Sequence, residues 1–268
     1  MEHEEVLLDK TDGIFTITLN RPEVLNAFTS TMLDAFVSAI KDARHDNEVK
    51  VLVITGTGRG FCTGADARGM AEGSPRVQRE LSLAERSIRA YNSYHRIPWA
   101  LADLDKPCIG AINGVAAAAG MDVASMCDIR IASDRARFGM TFIKRGVVPG
   151  DGGCYFLPRI IGIAKACELI WTGRLIDAQE ALRIGYVSKV VPHDELASAT
   201  MEFAAQLAKG PSVAIELAKR LIYRSLDLDL NRALELAETA QLIAHTTEDS
   251  KEGPRAWLEK RAPQFKGK

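Results

Sequence analysis

Lys106–Asp128 reads KPCIGAINGVAAAAGMDVASMCD. Cys108–Ile112 has the unbroken apolar character of a short buried strand, opened by Pro107, and Asn113-Gly114 supplies a turn. After the turn come Ala116–Ala119 and Gly120, almost without side chains, then a helical run carrying one carboxylate, Asp122. Small residues where a strand hands over to a helix let a ligand approach the backbone closely. The free N–H groups of the first helical turn then face that ligand and favour developing negative charge on it. Tight packing of a helix on a sheet would use the same residues, so the neighbouring stretches decide.

Upstream, Val6–Leu8 and Ile14–Leu19 read as strands joined at Asp12-Gly13, a hairpin signal, with Phe15, Ile17 and Leu19 alternating with Thr16 and Thr18. Leu25-Asn26-Ala27 leads into a helix capped by Thr29 or Ser30, whose Leu33, Phe36, Val37 and Ile40 share a face. Val49–Thr55 is a buried strand, followed by the glycine-rich loop Gly56–Asp66 (GTGRGFCTGAD). Residues 75–99 form a charged, helical segment with Tyr91, Tyr94 and Trp99 near its end. Downstream lie strands at Ile129–Ala132 and Tyr186–Val191, helices at Ile163–Trp171 and Asp177–Ile184, and a second glycine turn, PGDGG, holding Asp151. From about Glu195 the chain turns wholly helical, with three amphipathic runs (Glu195–Lys209, Ser212–Leu226, Leu230–His245) and a basic tail. Alternation of strand and helix argues for parallel strands with helical crossovers.

The 268 residues are 47% hydrophobic and 26% charged, an ordinary globular composition for one large domain or one domain with an appendage. A net charge of −1 does not favour nucleic acid or an anionic membrane, and no apolar run reaches the length of a membrane span. The N-terminus lacks a signal peptide's regions, and the five cysteines form no CxxC pair and read as reduced core thiols, so a cytoplasmic location is expected.

Gly56, Gly58 and Gly60 are spaced GxGxG rather than GxGxxG, and no GxxxxGK[ST] or GxSxG occurs, so dinucleotide, phosphate-loop and serine-hydrolase readings fall away. The five histidines are isolated from one another, and no metal site is expected. What remains is two glycine-rich turns offering backbone N–H groups, with Asp122 and Asp151 beside glycine turns. Paired N–H donors aimed at one point form an oxyanion hole, and a nearby carboxylate can move a proton at the carbon so activated. Either aspartate could equally serve as a cap or turn residue.

RPEVLNAF (21–28), GRGFCTGAD (58–66), KPCIGAINGVAAAAGMDVASMCDIRIAS (106–133) and EGPRAWLEKRAPQFKGK (252–268) resemble the enoyl-CoA hydratase/isomerase (crotonase) superfamily, in order and over essentially the whole chain. The resemblance implies an α/β fold of the ClpP/crotonase kind: a crotonase-like spiral of ββα units over residues 1–194. A C-terminal α-helical trimerisation region then covers residues 195–268. This displaces the doubly wound sheet that strand alternation alone would draw. It implies an acyl-CoA thioester substrate, no cofactor beyond the coenzyme A of that substrate, and a homotrimer or dimer of trimers. The thioester oxygen would sit between the N–H groups of Ala65 and of Ala119, which occupies a family glycine position. Leu25, Ala27, Ala65, Asp66 and Ala67 would hold the CoA moiety, with Ala118 and Phe142 by the acyl group. Phe265 and the basic tail would close over CoA, often from a neighbouring subunit.

The acid/base positions depart from the family pattern. Hydratases of the family use two glutamates; here Asp122 holds the first position and Phe142 the second. Asp151 stands where certain isomerases, dehalogenases and diketone hydrolases of the superfamily carry a catalytic aspartate. The expected activity is hydration or dehydration of an unsaturated acyl-CoA. The alternatives are double-bond isomerisation, C–C bond hydrolysis or decarboxylation, and, from a different class, an idle acyl-CoA-binding protein.

Overall fold

Val6–Thr11 (β1) and Ile14–Leu19 (β2) pair antiparallel in a hairpin. Its two turn residues, Asp12 (φ 51°) and Gly13 (φ 78°), both adopt the left-handed region that matches the strands' twist. The computed structural model from which this is drawn describes residues 4–66, 82, 85 and 95–268. Most of the 75–99 segment, with Tyr91 and Tyr94, lies outside the described residues; Trp99 falls on the helix Arg96–Ala102.

Thr29, not Ser30, caps the first helix, α1 (Ser30–His45), its Oγ1 accepting from Met32 N at 3.0 Å. The helix buries Met32, Phe36, Val37 and Ile40 against the sheet. From β3 (Val51–Gly56) onward the chain deals strands alternately to two sheets. β3 lies parallel to β2, and β4 (Gly60–Cys62) leaves to found the second sheet. After α2 (Arg96–Ala102), β5 (Cys108–Ile112) pairs with β3 and β6 (Val115–Ala117) with β4. After α3 (Ala119–Met126), β7 (Ile129–Ser133) pairs with β5 and β8 (Arg137–Gly139) with β6. A short β9 (Ile176–Asp177) closes the second sheet and β10 (Lys189–Val191) the first. The sheet orders are β1-β2-β3-β5-β7-β10 and β4-β6-β8-β9, a spiral of ββα turns rather than one doubly wound sheet.

Both faces of the inner strands of the first sheet are buried, as the near-continuous apolar runs of β3 and β5 require, while the edge strand β1 is mostly exposed. Leu52 and Ile54 of β3 enter the main core, while Val51 and Val53 face a second core. That second core is closed by Leu196 and Ala204 of the helix Leu196–Ala208.

Two helices escape the sequence reading. Gly153–Ile161 (α4) begins in the PGDGG turn and contains Pro158; Asp249–Leu258 contains Gly253-Pro254. In both, glycine and proline read as breakers, yet tertiary anchoring overrides them. Asp249, for instance, accepts from the tail N–H groups of Lys266 (2.7 Å) and Gly267 (2.8 Å). Between α4 and the second of these lie α5 (Ile163–Thr172), α6 (Ala178–Arg183), α7 (Leu196–Ala208), α8 (Ser212–Ser225) and α9 (Leu230–His245), making Asp249–Leu258 α10. Strand Tyr186–Val191 shortens to β10 because the backbone N–H groups of Tyr186 (2.8 Å) and Val187 (3.3 Å) donate back to Ala181 O rather than to a neighbouring strand. The expectation of five core thiols holds for Cys62, Cys108 and Cys127 only; Cys167 is half-buried and Cys154 exposed. Among the described residues no helix is long and apolar enough to cross a membrane.

Candidate functional site

The glycine loop is shaped by two buried amides. Asn26 Nδ2 donates to Thr57 O (3.0 Å) and Gly60 O (2.8 Å); Asn113 Nδ2 donates to Gly58 O (2.9 Å) and Gly60 O (3.0 Å). Leu25 (φ 53°) and Asn26 (φ 56°) take the left-handed conformation to present that amide, and a side chain on Gly60 would lie 2.9 Å from Leu25 Cβ. Beyond the loop, Phe28 and Ala65 form one isolated parallel bridge. Phe28 N donates to Gly64 O (2.8 Å) and Asp66 N donates to Phe28 O (3.1 Å). This rung consumes both polar groups of Phe28, so the N–H of Ala65 projects to the other side of the strand.

The second amide comes from α3. Ala118 caps this helix at φ 49°, ψ −126°, with its N donating to Gly139 O at 2.9 Å. Ala119 is the first helical residue, so its N–H has no intrahelical acceptor. A side chain on Gly64 (φ 88°) would stand 3.1 Å from Ala119 N and 3.1 Å from Ala118 Cβ. The residue before Ala65 thus lies directly against the helix start, and the two amides predicted to cooperate are brought together. Gly120 lets α3 seat there, because any Cβ on it would collide with the Cys62 carbonyl of β4.

Asp122 occupies the first turn of α3 and is fully buried, and among the described residues neither carboxylate oxygen has a hydrogen-bond partner. Burial, and then the charge of Asp151, push its carboxyl well above the usual carboxylate range; the nearby Asp151 backbone N–H, which falls short of a hydrogen bond to it, pulls weakly the other way. The PGDGG turn packs onto it: a side chain on Gly153 would collide with Asp122 Oδ1 and stand 2.9 Å from Pro149 Cβ and 3.1 Å from Met140 Cε. Asp151 is half-buried, and burial pushes it up to about 6, with His95 at the head of α2 pulling it down. The two environments therefore push the pair apart: deeper burial favours the protonated form of Asp122 more strongly than that of Asp151.

Phe142 lies in the 3-10 turn Thr141–Arg145, half-buried against the main core, and carries no proton to transfer. Ala27 is buried and Ala118 borders Gly64. Ala67 lies outside the described residues. Phe265 sits on its own chain's α10, 3.8 Å from where a Gly253 side chain would start, so within one chain it belongs to the tail and not to the Ala65–Ala119 centre. Sequence reading missed His95, Cys154 and Tyr186. The charge of Asp122 raises the Cys154 thiol, after burial, and the buried Tyr186 hydroxyl also feels that charge. Only Gly153, the last glycine of PGDGG and the one that admits Asp122, carried a local sign of this contact; His95 and Tyr186 are lone residues that meet the site through the fold.

A family profile described as enoyl-CoA hydratase/isomerase matches residues 9–268. The chain is 37% identical to a short-chain-enoyl-CoA hydratase of Clostridium acetobutylicum over 262 residues, 97% of each protein. It is 38% identical to a 1,2-epoxyphenylacetyl-CoA isomerase of Escherichia coli over 267 residues, 99% of each. Its fold superposes on an enoyl-CoA hydratase crystal structure from Bacillus anthracis with a TM-score of 0.89 at 32% identity, covering 99% of this chain and 100% of that one.

Proposed function

This chain belongs to the enoyl-CoA hydratase/isomerase family, and on that premise we propose that it adds water to, or removes it from, an unsaturated acyl-CoA. The observation that carries this reading is the convergence of the Ala65 and Ala119 backbone amides at Gly64, beside a buried carboxyl and an ionised one. Amides at a helix start favour negative charge that develops on a thioester oxygen as the enolate forms.

In the hydration direction, Asp151 as carboxylate accepts a proton from water while the water oxygen bonds to Cβ. The Cα=Cβ electron pair moves toward the carbonyl, whose oxygen gains charge between Ala65 N–H and Ala119 N–H. Asp122, whose burial favours its protonated form, then delivers a proton to Cα. The product gains one water, and proton exchange between the adjacent carboxyls restores the starting state. Phe142 makes one wall apolar where family hydratases have a glutamate, which suits a branched or cyclic acyl group. Leu25, Ala27, Asp66 and Ala67 hold the CoA moiety in this reading, Ala118 borders the acyl group, and Phe265 of an adjacent subunit closes over CoA.

A second reading is supported by Phe142 and by equal likeness to an isomerase: one aspartate moves a proton within an allyl system and shifts the double bond. Exposed Ile222 and Leu226 near the end of α8, with Leu230 and Leu234 on α9, support assembly into a trimer or a dimer of trimers.

Incubation with crotonyl-CoA and with a bulkier cyclic enoyl-CoA, followed by thioester absorbance and product mass, tests the proposal. Gain of one water, lost in both Asp122→Ala and Asp151→Ala, is the expected result. Loss of conjugation at unchanged mass would favour the isomerase. Tight binding of both thioesters without turnover would overturn hydration and leave an idle acyl-CoA binder or a C–C bond hydrolase.

A further inference from the structure

We infer that Arg21 is a positioning residue for the reaction, fixing the direction of the Ala65 N–H, an inference that rests on the acyl-CoA reading above. Arg21 precedes the glycine loop by a long stretch of chain, yet its side chain is only 13% exposed and every arm of it is engaged. Nη2 donates to Asp66 Oδ2 at 3.1 Å, Nη1 donates to the Ala27 carbonyl, and Nε pairs with Glu5 Oε1 at 3.1 Å. Ala27 immediately precedes Phe28, and Asp66 immediately follows Ala65. The guanidinium therefore ties together the two chain segments that form the Phe28–Ala65 bridge, one residue away on each.

That bridge needs such a tie. It is isolated, outside either sheet, and consists of two backbone hydrogen bonds. A rotation of the Ala65 peptide would leave those contacts strained and swing its N–H off the thioester oxygen. Arg21 also holds the near side of the segment through its own backbone. Its N donates to Asn26 Oδ1 (2.7 Å) and its O accepts from Asn26 N (2.9 Å), while Asn26 grips the glycine loop. Glu5 extends the network to the cap of α1 by accepting from Thr29 Oγ1 at 2.5 Å. A planar fork with several fixed donors suits this task, and a lysine, with one compact charge, could satisfy Asp66 or the Ala27 carbonyl but not the plane joining them.

The test uses Arg21→Lys, Arg21→Gln and Asp66→Asn, with Lys10→Ala as a control that loses exposed ion pairs to Asp46 and Glu48. A conjugated arylacryloyl-CoA is bound to each, and the displacement of its absorbance band to longer wavelength reports polarisation of the thioester carbonyl. The expected result is a reduced displacement in all three site variants and a kcat lower on the order of tenfold to a hundredfold, as misplacement of a catalytic group produces, with KM little changed in the two Arg21 variants. Arg21→Lys should recover part of what Arg21→Gln loses, and Lys10→Ala should match the wild type. Asp66→Asn keeps the fork and removes only its anion, so it reports even where an Arg21 variant folds poorly. Full displacement and full kcat in Asp66→Asn and in a folded Arg21 variant would overturn the inference while leaving the acyl-CoA reading intact. No displacement in the wild type would overturn both.

Discussion

Asp122 and Asp151 have the same side chain but differ in how strongly the fold favours their protonated forms, because one is sealed against Gly153 and the other reaches the turn surface. In the proposed hydration Asp151 must be ionised, so kcat/KM should rise through a limb at about pH 6 and fall at higher pH as Asp122 loses its proton. A pH profile flat from pH 5 to 8, on the order of the window bracketing that limb, would remove Asp151 as the base. Asp151→Asn should lower kcat by about a hundredfold or more. It should also stabilise the protein. The folded-state value of Asp151 stands above its unfolded value, so the folded state favours the protonated form. Its contribution is present at acid pH and is lost as pH rises through about 6. Removing that charge should add up to about 3 kcal/mol above this pH and nothing below about pH 3, readable in denaturant unfolding at two pH values. Ala118 offers a separate test. At φ 49°, ψ −126° it occupies a region that favours glycine, and Ala118→Gly should gain about 1 kcal/mol by relief of that strain, measured as a higher unfolding midpoint.

At the scale of elements, α3 is positioned from both ends. Arg130 Nε donates to Tyr186 O, and its Nη1 donates to the Cys127 carbonyl, so the helix C-terminus is capped by a buried cation. The N-terminus rests on β4 through Gly120. Gly120→Ala should push that end off Cys62, costing about 1–3 kcal/mol of stability and lowering kcat more than it weakens thioester binding. Unchanged turnover in a destabilised variant would show that the helix start need not be fixed to that accuracy. The existence of α1, α3, α5 and α9 was legible because their apolar residues recur with helical spacing. α4 and α10 were not, since glycine and proline hide a helix whose ends are held by distant chain.

At the scale of the molecule, the exposed apolar side chains on α8 and α9 carry the expectation of assembly. Leu230 is 73% and Leu234 57% exposed in the single chain. Leu230→Asp with Leu234→Asp should convert a trimer or hexamer into smaller species in sedimentation analysis, with turnover falling if a neighbouring Phe265 completes the CoA site. A wild type that sediments as a monomer would overturn the assembly reading. The two-core arrangement also belongs to this scale: the inner strands of the first sheet bury both faces, so β3 and β5 read as plain apolar runs that say little about which strand neighbours which.

The sequence alone determined the family resemblance, the strand-turn-helix around Asn113-Gly114, the small residues that leave amides accessible, and the presence at position 142 of a side chain with no proton to transfer. These are carried by residue types at short spacing, which local geometry translates directly. Tertiary structure alone decided that strands alternate between two sheets and that Gly64 meets Ala119. It also decided that Arg21 pairs with Asp66 and that Asp122 is more deeply buried than Asp151, so its protonated form is the more strongly favoured. Each of these depends on which distant segments pack together. Packing determines how much water and which charges surround a group, and the chain's local pattern does not contain that information.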